Sequence, residues 1–561
     1  MPARLPSLRR RIPAVPAEPT DPELLPVVPD LVAPPPLRMP RAAVRWIVPA
    51  VLLGGGAATA MAWWLLSGLP RLPKVAEEAT ARQGAIQTSL ALAAGIGAAV
   101  TLMLAFRRQR HQEHAAHVTT YLAERNARLA EQVAEHNRQD AIERRVTELY
   151  TKAVEQLGHT GAAVRLGGLY SLERLAQGNS EHRQTIVNVI CAYLRMPYVP
   201  PGVTTPGTAP PGPWAAPTGD GQGEQQVRLT AQRILAEHLR DDRSSRRHET
   251  AVVGSRFWEG MRIDLTGATL IDLDLAHCHL NDARFDEVTF QGDAGFNGAV
   301  FHGDAGFRGA TCTGSADFAE ATFQGKVRLS EGTFGETRFT RATFHETADL
   351  RETRFTGDAV FTEVTFHGGA DFRRSAFAED AGFTEAAFHR ETRFDRVAFA
   401  GDVRFTKAVF HGVTWFTWAA FHGDRGAWLN DVTFHGGVDF REVVFTGDVW
   451  FDRTVFHGVV GFIKAVFHQA AGFGEVGFGL SVGFEDAVFA GFAVFDRTIF
   501  HGRAAFTRVT LTEDTRFDDV QVMQSGGHYV WPTGWTVVPR SDGSGTLRRD
   551  DAESSDEDPS V

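Results

Sequence analysis

The chain alternates between uncharged runs, amphipathic helical stretches and one long region whose period belongs to neither helix nor strand. Residues 46–69 are 24 consecutive positions without a charged side chain, and residues 85–106 are another 22. At ~1.5 Å per residue either run spans a hydrocarbon core of ~30 Å, so each predicts a transmembrane helix. The first run is too long, and begins too far from the start, for a cleaved signal peptide. Small residues at Gly54, Gly55, Gly56, Ala57 and Ala60, and at Gly95 and Gly97, predict that the two helices approach closely. Arg38, Arg41 and Arg45 precede the first run and Arg107, Arg108 and Arg110 follow the second. The 70–84 loop carries Arg71, Lys74 and Arg82, diluted by Glu77 and Glu78. That bias places both termini, and everything after the second span, on the cytoplasmic side of the cell membrane.

Residues 107–147 are polar and helix-forming, with sparse apolar points at Val118, Leu122, Leu129, Val133, Ile142 and Val146. They predict a helical stalk. Its heptads are broken at Arg125 and His136, so a short coiled coil, with a homo-oligomer formed through it, competes with a plain solvated helix. Over 148–198, Leu166, Leu169, Leu172 and Leu175, then Ile186, Val189, Ile190 and Leu194, recur at three- and four-residue steps and predict a helical module. Residues 199–224 are rich in Pro and Gly and read as a linker, and 225–257 as a capping helix with Val227, Ile234, Leu235 and Leu239 on its apolar face. The proline-crowded 1–40 cannot bury enough apolar surface to order and is expected to be disordered.

The dominant pattern starts at Leu265. Steps of five reach Leu270, Leu275, Leu280, Phe285 and Phe290; steps of six and five then alternate through Phe366, Phe372, Phe377, Phe383 and Phe388 to Phe517 and Val522. There are 48 such positions, and 38 of the 41 Phe occupy them. Two residues before each stands something small or β-branched, such as Ala359, Val364, Ala370 and Ser375. A step of five on a helix turns successive Phe to different faces, and a strand wants a step of two. The pattern therefore predicts a solenoid in which each short segment points one large and one small side chain inward and then turns a corner. Forty-eight segments at four per coil make 12 coils.

The run Ala268-Thr-Leu-Ile-Asp-Leu-Asp-Leu-Ala-His277, followed by repeated Ala-x-Phe, resembles the pentapeptide repeat family. The resemblance covers 258–523 and implies a mainly β fold, a right-handed quadrilateral β-helix. The layout, with Ala153-Val-Glu-Gln-Leu-Gly158 and the leucine-rich 164–175 before the repeats, is similar to membrane-anchored actinobacterial members. This chain departs from the plain pentapeptide by a sixth residue at alternate corners, as at His367-Gly368-Gly369, and by two more residues between His422 and Leu429, where a bulged corner is expected. Phe257 and Trp258 belong with the N-terminal cap, and Tyr529, Trp531 and Trp535 with a C-terminal cap in 524–561, followed by a disordered tail beyond Pro539.

Charge divides the chain. Residues 1–256 carry 30 basic and 22 acidic side chains, residues 257–523 carry 24 and 39, and the tail 3 and 7. An acidic body disfavours direct nucleic-acid binding. Some pentapeptide repeat proteins imitate DNA and bind gyrase or topoisomerase; the net −15 of 257–523 has the right sign, but basic residues are interspersed, as in Asp371-Phe372-Arg373-Arg374. Three cysteines, Cys191, Cys278 and Cys312, exclude a disulfide framework, fit a reducing compartment and stand at no metal-ligand spacing. His345, His367, His389 and His411 recur every 22 residues and predict a ladder along one corner, continued at His435 and His457 and interrupted at Gln324 and Gly479. Metal binding or a pH response is the functional reading of that ladder, copying of an exposed corner residue the bland one. No phosphate loop, dinucleotide fingerprint, metalloprotease helix or nucleophile elbow occurs, so no catalytic, cofactor or metal residue is assigned and an enzyme is not expected. The sequence thus predicts a membrane-tethered cytoplasmic scaffold whose rod binds a protein partner, with a gyrase-directed DNA mimic or a structural envelope element as alternatives.

Overall fold

The computed structural model describes residues 41–68, 75–201, 221–241, 256–523 and 529–550. The Pro-rich 1–40, Arg38, Arg71 and Lys74, most of the linker (202–220) and 551–561 lie outside the described residues, as do the side chains of Arg41 and Arg45. The chain forms two compact units, 1–142 and 143–561.

The first unit contains α1 (Arg41–Ser67) and most of α2 (Val75–Leu157). Among the described residues only α2 is long and apolar enough to cross a membrane; its most apolar 18-residue window has a mean hydropathy of 2.1 and is unburied. The described apolar part of α1, Val51–Ser67, is shorter. Gly54 lies against α2, where a Cβ would stand 3.4 Å from Ile96, whereas Gly55, Gly56, Gly95 and Gly97 face open space. The second uncharged run, the polar stalk and the first turns of the helical module are a single 83-residue helix, so the boundary expected at 147/148 falls inside α2. Nothing between 107 and 157 breaks a helix: no proline or glycine occurs there.

The second unit begins where α2 meets α3 (Ala162–Gly178), α4 (Arg183–Leu194) and α5 (Gly221–Leu239). Gly168 lets α3 cross α2 at close range, since a Cβ there would stand 2.8 Å from both Ala153 O and Leu157 N. Leu169, Leu172, Ile186, Ile190, Ile234 and Leu235 are buried in one continuous core with Leu265 and Leu270 of the repeats. Module and capping helix, separate in the sequence reading, are thus one N-terminal cap. Two glutamines close the open edge of the first coil. Gln232 donates to Ile271 O (2.7 Å) and accepts from Ile271 N (3.0 Å). Gln184 does the same for Arg262, at 2.8 and 3.0 Å. Each primary amide stands in for the peptide group of a missing coil, which removes both the edge hazard and two unpaired backbone groups.

The repeats form a β-solenoid of 12 coils. Four parallel ladders run its length, the second and third merged into one 20-stranded sheet through the long strands Thr269–Asp274 and Thr289–Gly295. Register follows the sequence steps: Ile263 pairs with Ala283, Ala370 with Thr392, and Thr414 with Val438 across the lengthened coil. At ~4.8 Å per coil the rod is about 58 Å long. Of the 48 predicted core positions 47 are buried and Leu511 is half-buried. They make four columns, one behind each face, headed by Leu265, Leu270, Leu275 and Leu280. Within a column rings lie parallel, as for Phe372, Phe394 and Phe416 at 4.8 and 4.9 Å; between the first and third columns they meet edge to face, as for Phe383 and Phe394 at 5.6 Å and 84°.

Corners are of two kinds. After the first and third columns a four-residue turn closes with a bond such as Ser375 N to Phe372 O (3.0 Å), and its third residue is left-handed. Only three of those 24 positions are glycine; the rest are residues such as Glu363, Arg374, Glu385 and Lys407, with φ near +57° to +60°. After the second and fourth columns come the six-residue corners, where an aspartate of one coil accepts amides of the next. Asp402 does so at the bulge, from Arg425 N (3.1 Å) and Gly426 N (3.3 Å), and pairs with the Arg425 guanidinium at 2.7 Å. Gly426 has φ +110°, which a side chain would strain. Amides at the first- and third-column core positions donate to the following coil (Phe394 N to Trp415 O, 2.7 Å; Phe405 N to Trp428 O, 2.7 Å), and amides one residue past the second- and fourth-column positions donate to the preceding coil (Ala400 N to Phe377 O, 2.8 Å; His411 N to Phe388 O, 2.8 Å).

At the far end Trp531 packs on Phe500 and Phe506, and Trp535 on Phe517. The chain beyond Pro539 is not a featureless tail as far as it is described: a hairpin of Trp535–Pro539 and Gly545–Arg549 pairs antiparallel with Gln521–Val522 and covers the last edge. Its turn, Ser541-Asp542-Gly543-Ser544, has the composition that read as disorder, but Leu547 beneath it is buried in the core.

Replacing Phe394 by Ala removes a ring stacked on both sides and is expected to lower stability by ~3–5 kcal/mol in denaturant titration; a loss under ~1 kcal/mol would contradict its place in the core. Gln232→Ala leaves Ile271 N–H and O unpaired at a buried edge and is expected to destabilise by ~1–3 kcal/mol, with hydrogen exchange rising first in coil one.

Candidate interaction surface

With phenylalanine filling the inside, all chemical variety lies outside, at the two residues flanking each core position and at the corners. The flanking positions number 24 per face. Charged residues occupy 14 of them on the first face, 1 on the second, 8 on the third and none on the fourth. Charge is therefore sorted by face, a feature invisible until the coil is closed.

The two left-handed corners carry ion-pair ladders between successive coils. On the third-face corner Arg341 pairs with Glu320 (2.6 Å), Lys407 with Glu385 (3.1 Å), Arg453 with Asp431 (2.7 Å) and Arg497 with Glu475 (2.6 Å). On the first-face corner Arg374 pairs with Glu352 (3.1 Å) and Arg508 with Asp486 (2.6 Å). Two hydrogen bonds from Arg453 hold the Asp431 carboxyl below its usual range. Such exposed pairs contribute ~0–1 kcal/mol each, so they tune the surface more than they hold the rod.

The first face has a groove of about 300 Å³ on coils five to eight, where Arg351, Arg373, Arg374, Arg393, Arg396 and Trp418 converge. Glu352 and Asp395 also line it. Arg393 stacks on Trp415 and Arg396 on Trp418, each at 4.8 Å, and Trp418 is 47% exposed. The corner column places Arg374 beside Arg396, two like charges in succession. Burial pushes the Asp395 carboxyl up, and its Oδ2 has no hydrogen-bond partner. Along the chain Arg373 and Arg374 only interrupt the acidic body; the groove needs residues 22 apart brought side by side.

The histidine ladder forms as predicted. His345, His367, His389, His411, His435 and His457 stack in sequence at 4.8 to 5.2 Å, with planes within 19°. His279 and His302 stack separately at 5.4 Å, and His302 bonds to Gln324. Parallel rings point their nitrogens side by side, and among the described residues no group of three or more His, Cys, Asp or Glu could hold a metal. Desolvation first, and the neighbouring imidazoles second, lower His389 and His435 from 6.5. All three cysteines are buried and free, and burial pushes Cys191 and Cys278 up to about 12 and Cys312 to about 11.

With this geometry in hand, the comparison with known families is direct. The model for pentapeptide repeats (9 copies) matches residues 265–311, 275–321, 307–354, 350–398 and 394–444. Residues 265–444 of the solenoid are thus pentapeptide repeats, and the coils that follow them continue the same architecture. No curated protein and no solved structure matches the chain.

The lowered histidines set a pH dependence. The unfolded chain binds protons near 6.5 while the folded ladder resists them, so stability falls as pH drops from 6.5 toward the lowered values. Urea midpoints of the wild type are expected to decline across that window, and less so for His389→Gln/His435→Gln; identical declines would remove the ladder as the cause.

Proposed function

We propose that the chain is a membrane-tethered scaffold, with both termini and the rod on the cytoplasmic side, and that the rod recruits a protein partner through the arginine–tryptophan groove of its first face. Pentapeptide repeat solenoids are known for protein–protein interaction rather than catalysis. The groove is the single observation that carries the reading. Trp and Arg dominate binding hot spots because they bring large contact area and planar multidentate donors at low ordering cost. Trp418 supplies an exposed ring, and Arg396 is held on it. Arg351, Arg373, Arg374 and Arg393 already face Asp349, Asp371, Glu352 and Glu391, so the groove suits a partner segment that brings an apolar side chain to Trp418 and a carboxylate to Arg396. The membrane tether rests on the apolar stretch of α2, with the uncharged run in α1 as the second span and the flanking arginines setting the orientation.

A surface that imitates DNA needs an unbroken anionic stripe. The ladders of Arg341, Lys407, Arg453 and Arg497 break it along one corner, and Arg374 and Arg396 along another. A topoisomerase-directed role is the weaker reading, and a supercoiling assay with the purified chain separates the two.

Affinity capture with the full chain in detergent, at low and moderate salt, tests the proposal. A discrete partner is expected to survive moderate salt, and Trp418→Ala to weaken it by ~2 kcal/mol, about 30-fold in affinity. Diffuse binding that salt removes, or a partner indifferent to Trp418 and Arg396, would overturn the assignment to the groove.

A further inference from the structure

The fourth face is the opposite of the first. None of its 24 flanking positions is Asp, Glu, Lys or Arg, in a region that carries 63 such residues. One column along it is small or β-branched at most coils, with Thr365, Val409, Thr433 and Val455 among its members; the other is the histidine ladder. The six-residue corner beside the ladder is uncharged over four successive coils, from Gly412-Val413 through Gly436-Gly437 and Gly458-Val459 to Leu480-Ser481. There Val413 is 43% exposed, Val455 38%, Val459 56% and Leu480 52%. This is an apolar and imidazole-lined strip on a rod whose other surfaces include two charged faces. The second face also has few charges, but Arg354 interrupts it and its corners carry a row of carboxylates that includes Asp358, Asp380, Asp402 and Asp448.

We propose that the fourth face is where two copies of this chain pack rod against rod. Three observations select a second copy as the occupant. The first is charge. Packing through the fourth face takes no ionised flanking side chain out of water, whereas the first and third faces would desolvate 14 and 8 of them on each copy. The second is area. A face about 58 Å long and about 16 Å wide offers roughly 900 Å², matching the ~800 Å² per partner of a stable interface. The third is period. The face repeats once per coil along its whole length, and the side chains of a second rod with the same repeat stay in step with it from end to end. A globular partner matches such a face over only a coil or two.

The histidines make the contact responsive to acid. The charged groups acting on His389 are its own neighbours His367 and His411, and those acting on His435 are His411 and His457. Near the ladder's upper end Glu346, Arg390 and Glu391 stand on the adjoining corner, and none stands beside His411, His435 or His457. Neutral imidazoles pack; a row of imidazolium ions repels within one rod and across the interface.

This surface is distinct from the groove, so its failure leaves the recruitment reading untouched. The test is the mass of the full chain in detergent by light scattering, with the micelle subtracted, at micromolar concentration. At pH ~7.5 the mass of two chains is expected, halving by pH ~5, below the histidine range. Thr433→Lys/Val455→Lys on the fourth face is expected to halve the mass at neutral pH, while Val360→Lys/Val494→Lys on the third face leaves it unchanged. His411→Thr/His435→Thr/His457→Thr is expected to keep the two-chain mass in acid. Circular dichroism of each variant verifies folding. A one-chain mass at neutral pH overturns the proposal. So does a two-chain mass that the fourth-face lysines do not change, which would place self-association in α2.

Discussion

The whole rod rests on one coincidence of lengths. Backbone hydrogen bonding sets successive coils ~4.8 Å apart, and that is also the separation at which parallel aromatic rings sit in contact, as in the 4.8 Å between Phe372 and Phe394. A ring placed at every turn of the coil therefore satisfies its neighbours above and below without any adjustment of the backbone. The same repeat is inherited by everything attached to the outside, from the 4.8 Å imidazole ladder to the cross-coil ion pairs. A polar group in the column would find no partner there, which is why the interior is almost monotonous and none of its 48 positions is Tyr.

Because the interior is fixed by that spacing, it constrains the outside very little, and the faces are free to differ. The first face concentrates guanidinium groups, the left-handed corners mix both signs, and the fourth face excludes charge. A solenoid separates the residues that hold the fold from the residues that meet other molecules more cleanly than a globular core does. A change at Trp418 or His411 reaches solvent without touching the columns, whereas a change at Phe394 reaches every coil by way of its neighbours.

The columns, the six-residue corners and the bulge near His422 were legible in the sequence, since each rests on a one-dimensional step that needs no knowledge of packing. The left-handed corners were not. A positive φ normally announces itself by Gly or Asn, and here Glu, Arg and Lys take it, held by the turn bond and by the coil above. The end caps were half legible. Apolar periodicity located α3, α4 and α5, but nothing local distinguishes Gln184 and Gln232 from any other surface glutamine; their role exists only once Arg262 and Ile271 lie opposite. The Ser- and Gly-rich turn before Leu547 misled for the reverse reason, a loop composition covering a buried anchor. The groove and the sorting of charge by face are products of closure, because their members are a full coil apart in the chain.

The opposed directions of amides within a coil have an electrical consequence. In an α-helix every peptide dipole adds, and the ends carry a partial charge that caps and ligands must answer. Here Phe394 and Phe405 donate forward while Ala400 and His411 donate backward, so the peptide dipoles of one coil cancel along the axis. A longer array gains no field at its ends. The termini can accordingly be closed by neutral amides at one end and by indole rings and a hairpin at the other. The potential an approaching molecule meets is written by side chains alone, face by face.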